Sequence, residues 1–157
     1  MAAIHKILTN SLTVDTSYVL IALHSDLDDY AIAYGLNAFL GSALTRCRTD
    51  LDLTEDLSFP AFEWHDQFND TVWYLFKNES IQQLNTIETG LFKDEVSVKK
   101  TPLLPEFKVA DYFLKIENDE TDAAEAILQS LLKIPNIVTA YTVPLSKIKS
   151  KNNLIFP

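Results

Sequence analysis

Cysteine, glycine and basic side chains are all scarce in this 157-residue chain, and each shortage closes off a class of function. One cysteine, Cys47, excludes an intramolecular disulfide and the cysteine-rich zinc patterns. Three glycines leave little for phosphate-cradling loops, and no P-loop, dinucleotide glycine pattern, GxSxG or HExxH occurs. No apolar run reaches the ~18 residues a membrane-spanning helix needs. The opening MAAIHKILTN has no apolar core followed by a small-residue cleavage site, so a signal peptide is not expected. Thirteen Lys and Arg stand against 22 Asp and Glu, a net charge of −9. An acidic body repels phosphate backbones, so no nucleic-acid partner and no membrane partner are expected.

The charge is also unevenly placed. From Lys133 onward there are four lysines and no acid, leaving 9 basic against 22 acidic residues before that point. The remaining composition, 47% hydrophobic and 22% charged, is that of a soluble globular protein. The reading is one cytoplasmic domain over 1–157, with 144–157 as a lysine-bearing C-terminal tail.

Residues 4–8 fit a short helix or an edge strand equally well. Residues 18–24, YVLIALH, are apolar on both faces, which predicts a strand in the middle of a sheet. Ser25 then offers an N-cap with Asp28 in the capping-box position, and Asp26, Asp28 and Asp29 complement the helix dipole. Leu27, Tyr30, Ala31, Tyr34 and Ala38 give the helix its apolar stripe, Gly35 points to close packing against the sheet, and Gly41 supplies the stop. Alternation over 44–53 predicts a half-exposed strand. Two more strands are expected at 59–66 and 71–77, joined by a turn at 67–70. Residues 78–100 are polar and weakly patterned. A strand at 107–117 and a turn at 118–121 lead to a second helix with Ala124, Ile127, Leu128 and Leu131 as its stripe, ended near Pro135. A β-branched strand at 136–143 stops at Pro144.

Two strand-helix-strand units therefore flank a β-rich middle. The fold expected is α+β: a two-layer sandwich with ferredoxin-like units around an antiparallel or mixed sheet, and an inserted aromatic hairpin extending one edge. Strands 18–24 and 107–117 would lie centrally. The rival is a mixed α/β arrangement with helices on opposite faces.

Residues 104–112 run L-P-E-F-K-V-A-D-Y. This resembles the hallmark of the IPExxxVDY family of small uncharacterised bacterial proteins. Pro105, Glu106, Asp111 and Tyr112 match, while Leu104 stands for Ile and Ala110 for Val. The strand entering an acidic helix at 20–30, YFLKIE at 112–117, and IVTAYTV followed by KSKNNLIF are also similar to that family, so the resemblance covers most of the chain. It implies membership, and no enzymology, cofactor or partner comes with it.

Asp111 and Glu106 are the sharpest chemical candidates. Strand alternation would set Asp111 between Val109 and Phe113, where partial burial raises a carboxyl pKa and suits acid-base work. The plainer reading is a carboxylate that accepts hydrogen bonds from a turn or neighbouring strand. His24 ends a central strand just before a helix, a place where ligands gather in open sheets. Yet Asp26, Asp28 and Asp29 near it are ordinary dipole complements, and no metal site or cofactor is expected. Cys47 has no evident activating base and reads as a small hydrophobe.

Seven of seventeen aromatics lie within residues 59–76. They fit a second core on a hairpin, or a protein interface with Trp64, Trp73, Tyr74 and Phe62 as anchors. Glu63, Asp66 and Asp70 intervene and no Lys or Arg lies within the cluster before Lys77, which disfavours nucleic-acid stacking. The preferred expectation is a non-enzymatic protein-interaction or self-associating scaffold domain, with a homo-oligomer or another protein as partner. The alternatives are a small-molecule-binding regulatory domain and an enzyme using Asp111 or Glu106.

Overall fold

Apolar residues on both faces of the first strand set it among neighbours on both sides. In the computed structural model, which describes residues 17–84, 97–117 and 123–155, β1 (Tyr18–Ser25) lies between β10 (Ile137–Thr142) and β9 (Tyr112–Glu117). The sheet continues through β6 (Thr71–Lys77) and β5 (Ala61–Asp66) to a two-residue edge, β2 (Thr45–Arg46). Every neighbouring pair in this six-stranded sheet is antiparallel. Two separate ribbons pair β3 (Leu51–Thr54) with β4 (Leu57–Phe59), and β7 (Ser80–Leu84) with β8 (Ser97–Thr101). The chain is thus α+β, with a mainly antiparallel sheet and, among the described residues, two α-helices. The possible element at 4–8 and the turn at 118–121 fall outside the described residues.

Helix α1 (Asp29–Leu40) follows β1, and α2 (Ala124–Leu131) follows β9. Both pack on one face of the sheet, not on opposite faces as in the rival arrangement. Ile32, Ala33 and Leu36 from α1 and Leu131 from α2 share a core with Ile21, Leu23, Leu75, Tyr112, Leu114 and Ile116. Ile127 and Leu128 join it as expected. Of the stripe expected from the sequence, Leu27 packs against this core, but Tyr30, Tyr34 and Ala38 do not face inward. Tyr34 is 77% exposed and Tyr30 is also outside, because the helix starts at Asp29 and turns its 32-33-36 face to the sheet. Ser25 is not the N-cap. Asp28 holds that position, and Ser25 Oγ instead donates to the Asn136 carbonyl and accepts the Leu27 amide. Gly41 ends the helix in the left-handed region at φ 67°. Gly35 meets the segment after α2, not the sheet: a Cβ there would stand 2.9 Å from Ile134 Cγ2.

The opposite face is covered as well, so the expected two layers become three. Leu20, Ala22, Tyr74, Phe76 and Phe113 are buried there under Leu51, Phe59, Leu103, Leu104, Val143, Ile148 and Leu154. Among the described residues this third layer has no long helix. It is made of the β3–β4 ribbon, a 3-10 turn at Pro105–Phe107, and two more 3-10 turns at Leu145–Lys147 and Lys151–Leu154. Ile148 and Leu154 point in, while Lys147, Lys149 and Lys151 stay in water.

Residues 44–53 do not form one strand. Asp50 pairs with Arg46 and accepts the Ser58 hydroxyl, so the chain bends between β2 and β3. The next expected strand breaks at Pro60, which gives Phe59 to β4 and starts β5 at Ala61.

Candidate functional site

The strand expected at 107–117 begins only at Tyr112, and this changes what surrounds the family-like residues. Pro105 opens a 3-10 turn, the chain turns again through Val109, and the alternation that would have buried Asp111 does not apply. Val109 is solvent-exposed, and Ala110 packs in the second core instead of beside Tyr112.

Each polar group of this segment reaches a different part of the chain. Asp111 is exposed, and its Oδ2 accepts the Ser25 backbone N–H at 2.9 Å. Its own amide donates to the Leu23 carbonyl at 3.0 Å, and its carbonyl accepts the Asn78 amide at 2.9 Å. Tyr112 donates its hydroxyl to the Leu27 carbonyl at 2.5 Å. Burial holds the Tyr112 phenol well above its ordinary pKa, with help from the charges of Asp29, Asp28, Asp111 and Glu79. Glu106 Oε1 accepts the Ser150 hydroxyl at 2.8 Å, which ties the turn to the C-terminal segment. Desolvation would raise the Glu106 pKa, but hydrogen bonding from its own amide, from Ser150 and from the Lys149 amide outweighs it and leaves the carboxyl below the usual range. Its Oε2 is buried and has no hydrogen-bond partner among the described residues.

Asn78 ties the segment together, a role that sequence reasoning misses. Only 2% exposed, it donates from Nδ2 to the carbonyls of Phe107 and Ala110, both at 3.0 Å, and accepts the Leu104 amide at 2.9 Å. An asparagine at the end of an apolar strand, entering a polar stretch, is indistinguishable from a turn residue until the loop it binds is folded over it.

A cavity touches the motif. Asn78, Glu79, Lys100, Lys108 and Asp111 border a depression of about 360 Å³, where Lys100 Nζ stands 3.3 Å from Glu79 Oε1. Lysines and carboxylates in balance neutralise one another there, and neither a histidine nor a cysteine lines it.

His24 is also accounted for by packing. Its Nε2 is 3.1 Å from the Tyr141 hydroxyl, with the rings 5.5 Å apart. Among the described residues no group of three or more His, Cys, Asp or Glu gathers as a metal could require. Cys47 is half-buried; burial first, then the Glu63 charge, pushes its thiol up, away from the reactive thiolate.

The aromatic residues divide between the two faces of β5 and β6. Trp64 and Trp73 lie directly opposite across the pair, ring centroids 5.4 Å apart, on the helix-bearing face. Phe62 is buried in the same core beneath the Arg46 guanidinium. Tyr74 is buried on the other face. Of the four expected anchors, only Trp64 is partly exposed. Beside it opens a groove of about 440 Å³, walled by Leu40, Trp64, Trp73, Ile116 and Ile127, with Phe68 at its rim.

Phe68 is 95% exposed. The turn that carries it is held by the buried Asp66, whose Oδ1 accepts the amides of Phe68 and Asn69 at 3.1 and 3.3 Å. Asp66 Oδ2 takes the Asn69 side-chain amide at 2.6 Å, and Asp70 completes the turn at φ 54°. The tip is therefore set before any partner arrives. Comparison with protein-family models, with curated proteins and with solved structures finds no match to this chain.

Proposed function

We propose that this chain is a non-enzymatic protein-interaction domain that associates with copies of itself through the surface around the β5–β6 turn. One observation carries the reading: a fixed turn keeps Phe68 in water at the rim of an apolar groove. A phenylalanine side chain left exposed forgoes about 1.5–3 kcal/mol of burial. A turn pre-organised to hold it outward makes that burial accessible to a partner at low entropic cost. Light scattering across a concentration series tests the reading. The wild-type mass should rise with concentration, and Phe68→Ser should hold it at the monomer value. A constant monomer mass for the wild type at the highest soluble concentration refutes it.

The acidic balance supports a protein partner over nucleic acid, and the lone cysteine with the ordinary globular composition supports the cytoplasm. The segment at 104–112 supports membership in the IPExxxVDY family. The order β10-β1-β9-β6, with helices after β1 and β9, supports a ferredoxin-like core that β5 and β2 extend at one edge. The enzyme reading loses its support, since Asp111 and Glu106 are engaged in holding backbone and a tail.

A second reading has an observation of its own. The groove's size falls within the ~300–1,000 Å³ of small-molecule sites, and its tryptophan pair could stack on a planar ligand. A thermal-shift screen of planar metabolites should then yield a hit that Trp64→Ala abolishes, and a flat screen removes the reading.

A further inference from the structure

The chain's charge is segregated, and the structure sets one part of each sign against a surface of its own. The groove beside Trp64 has one ionisable lining residue, Asp66, and no base. Asp70, in the turn between lining residues Asn69 and Thr71, is exposed, as is Glu125 in the first turn of α2 between Ala123 and Ile127. The groove lies on the helix-bearing face, since Trp64, Trp73, Ile116 and Ile127 belong to that core.

The C-terminal segment is its counterpart. Lys147, Lys149 and Lys151 are exposed, and none of them meets an acid in an ion pair among the described residues. The segment is held firmly on the opposite face by Ile148 and Leu154 in the second core, by Ser150 on Glu106, and by the Asn153 amide on the Leu103 carbonyl at 2.9 Å. Directly after buried Leu154, Ile155 is 63% exposed. It offers an apolar side chain beside three cations, which is the chemistry an apolar groove with acids at its margin accepts.

We propose that copies of this chain associate head to tail, the segment bearing Lys147, Lys149, Lys151 and Ile155 of one copy seating on the Trp64–Phe68 groove of the next. The proposal rests on the self-association reading and names its geometry. The two surfaces lie on opposite faces of one sheet, so they cannot meet within a copy. Groove-to-groove pairing about a two-fold axis would bring Asp70 and Glu125 toward their own images, and like charges oppose that. A heterologous contact brings opposite charges together and continues from copy to copy, giving a ring or an open chain. Because the charges are exposed, their attraction weakens as salt rises.

Sedimentation velocity on the wild type and two variants tests this. One variant carries Lys147→Glu, Lys149→Glu and Lys151→Glu; the other carries Phe68→Lys, at a position exposed enough to leave folding intact. Circular dichroism confirms that both are folded. The wild type should form species beyond the dimer at low salt and lose them at high salt. Each variant alone should associate at least about tenfold more weakly. An equimolar mixture should give a one-to-one dimer and nothing larger, because one intact segment then meets one intact groove. Wild-type assembly that survives in the lysine variant, or a mixture that stays monomeric, overturns the head-to-tail contact and leaves self-association standing. A wild type that is monomeric throughout overturns both.

Discussion

Asn78 accepts the Leu104 amide on its side-chain oxygen at 2.9 Å, and that bond fixes where the 104–112 segment starts its path back into the sheet. The same side chain holds the far end of the loop through the Phe107 and Ala110 carbonyls. Replacing it with alanine leaves the Leu104 amide and the Ala110 carbonyl without these partners, each costing about 1–3 kcal/mol, while the Phe107 carbonyl keeps the Ala110 amide. Asn78→Ala should therefore lower unfolding free energy by roughly 3 kcal/mol. Urea denaturation would show the midpoint falling with the m-value unchanged. Asn78→Asp should be nearly as costly, because a carboxylate cannot donate to either carbonyl.

Tyr112 gives a prediction with a pH signature. Its phenol is held above its ordinary value of 10.0 by burial and by surrounding carboxylates. The folded state therefore favours the neutral form. That contribution is complete below about pH 10 and is lost as pH rises toward the higher folded value. Tyr112→Phe should cost about 1 kcal/mol at neutral pH, through the unsatisfied Leu27 carbonyl. Its stability should then fall less steeply than the wild type's above pH 10. A variant with the same alkaline slope as the wild type would show that Tyr112 is not the responsible group.

Glu106 acts at the other end of the pH scale. Its folded pKa lies below the ordinary 4.5, so it contributes stability above that pH and loses it as pH falls through the folded value. Glu106→Gln should match the wild type at low pH and be less stable at pH 7, so the two stability curves converge on acidification. Amide exchange at Ser150 should quicken in the variant at pH 7, because the link between the two segments is what was removed.

The central strands were legible because burial writes itself into composition: 18–24 reads as apolar on both faces, and β1 and β9 lie side by side within the sheet. The error at α1 has a physical source. Tyr30 and Tyr34 count as apolar in a periodicity, but a phenol is content in water, so the weaker-looking stripe of Ile32, Ala33 and Leu36 wins the sheet. The third layer was not legible at all. Residues 145–154 fully bury only Ile148 and Leu154 among exposed lysines, a pattern with no regular period. At the candidate site, the sequence located Asp111 and Glu106 but not their partners, Ser25 and Ser150, which lie 86 and 44 residues away.

Gly35 tests how tightly the helices pack. Alanine normally gains about 1 kcal/mol over glycine in a helix. Here the added Cβ would lie 2.9 Å from Ile134 Cγ2, a methyl on a branched, buried side chain that cannot swing aside. Overpacking of this kind costs about 1–3 kcal/mol, so Gly35→Ala should destabilise on balance. Combining it with Ile134→Ala should cost less than the sum of the two single changes, a non-additivity that thermal or urea unfolding reads directly.

Lys115 is the strongest test of the third layer, because its charge lies inside it. The buried Nζ donates to Glu117 Oε1 at 2.5 Å and to the Leu154 carbonyl at 2.9 Å, and it sits 4.9 Å from the Tyr18 ring centroid. A cation inside a core is tolerable only with such partners, and removing it leaves the Glu117 carboxylate and a backbone carbonyl behind. Lys115→Met keeps the side chain's length and apolar stem but loses all of these contacts. It should destabilise by about 3–5 kcal/mol, the range for breaking a buried pair by deleting one partner. The loss should be local before it is global. Hydrogen exchange should show residues 145–155 losing protection first, while the β1–β9 amides remain slow. If protection falls equally across the sheet, Lys115 holds the whole core and not the segment laid over it.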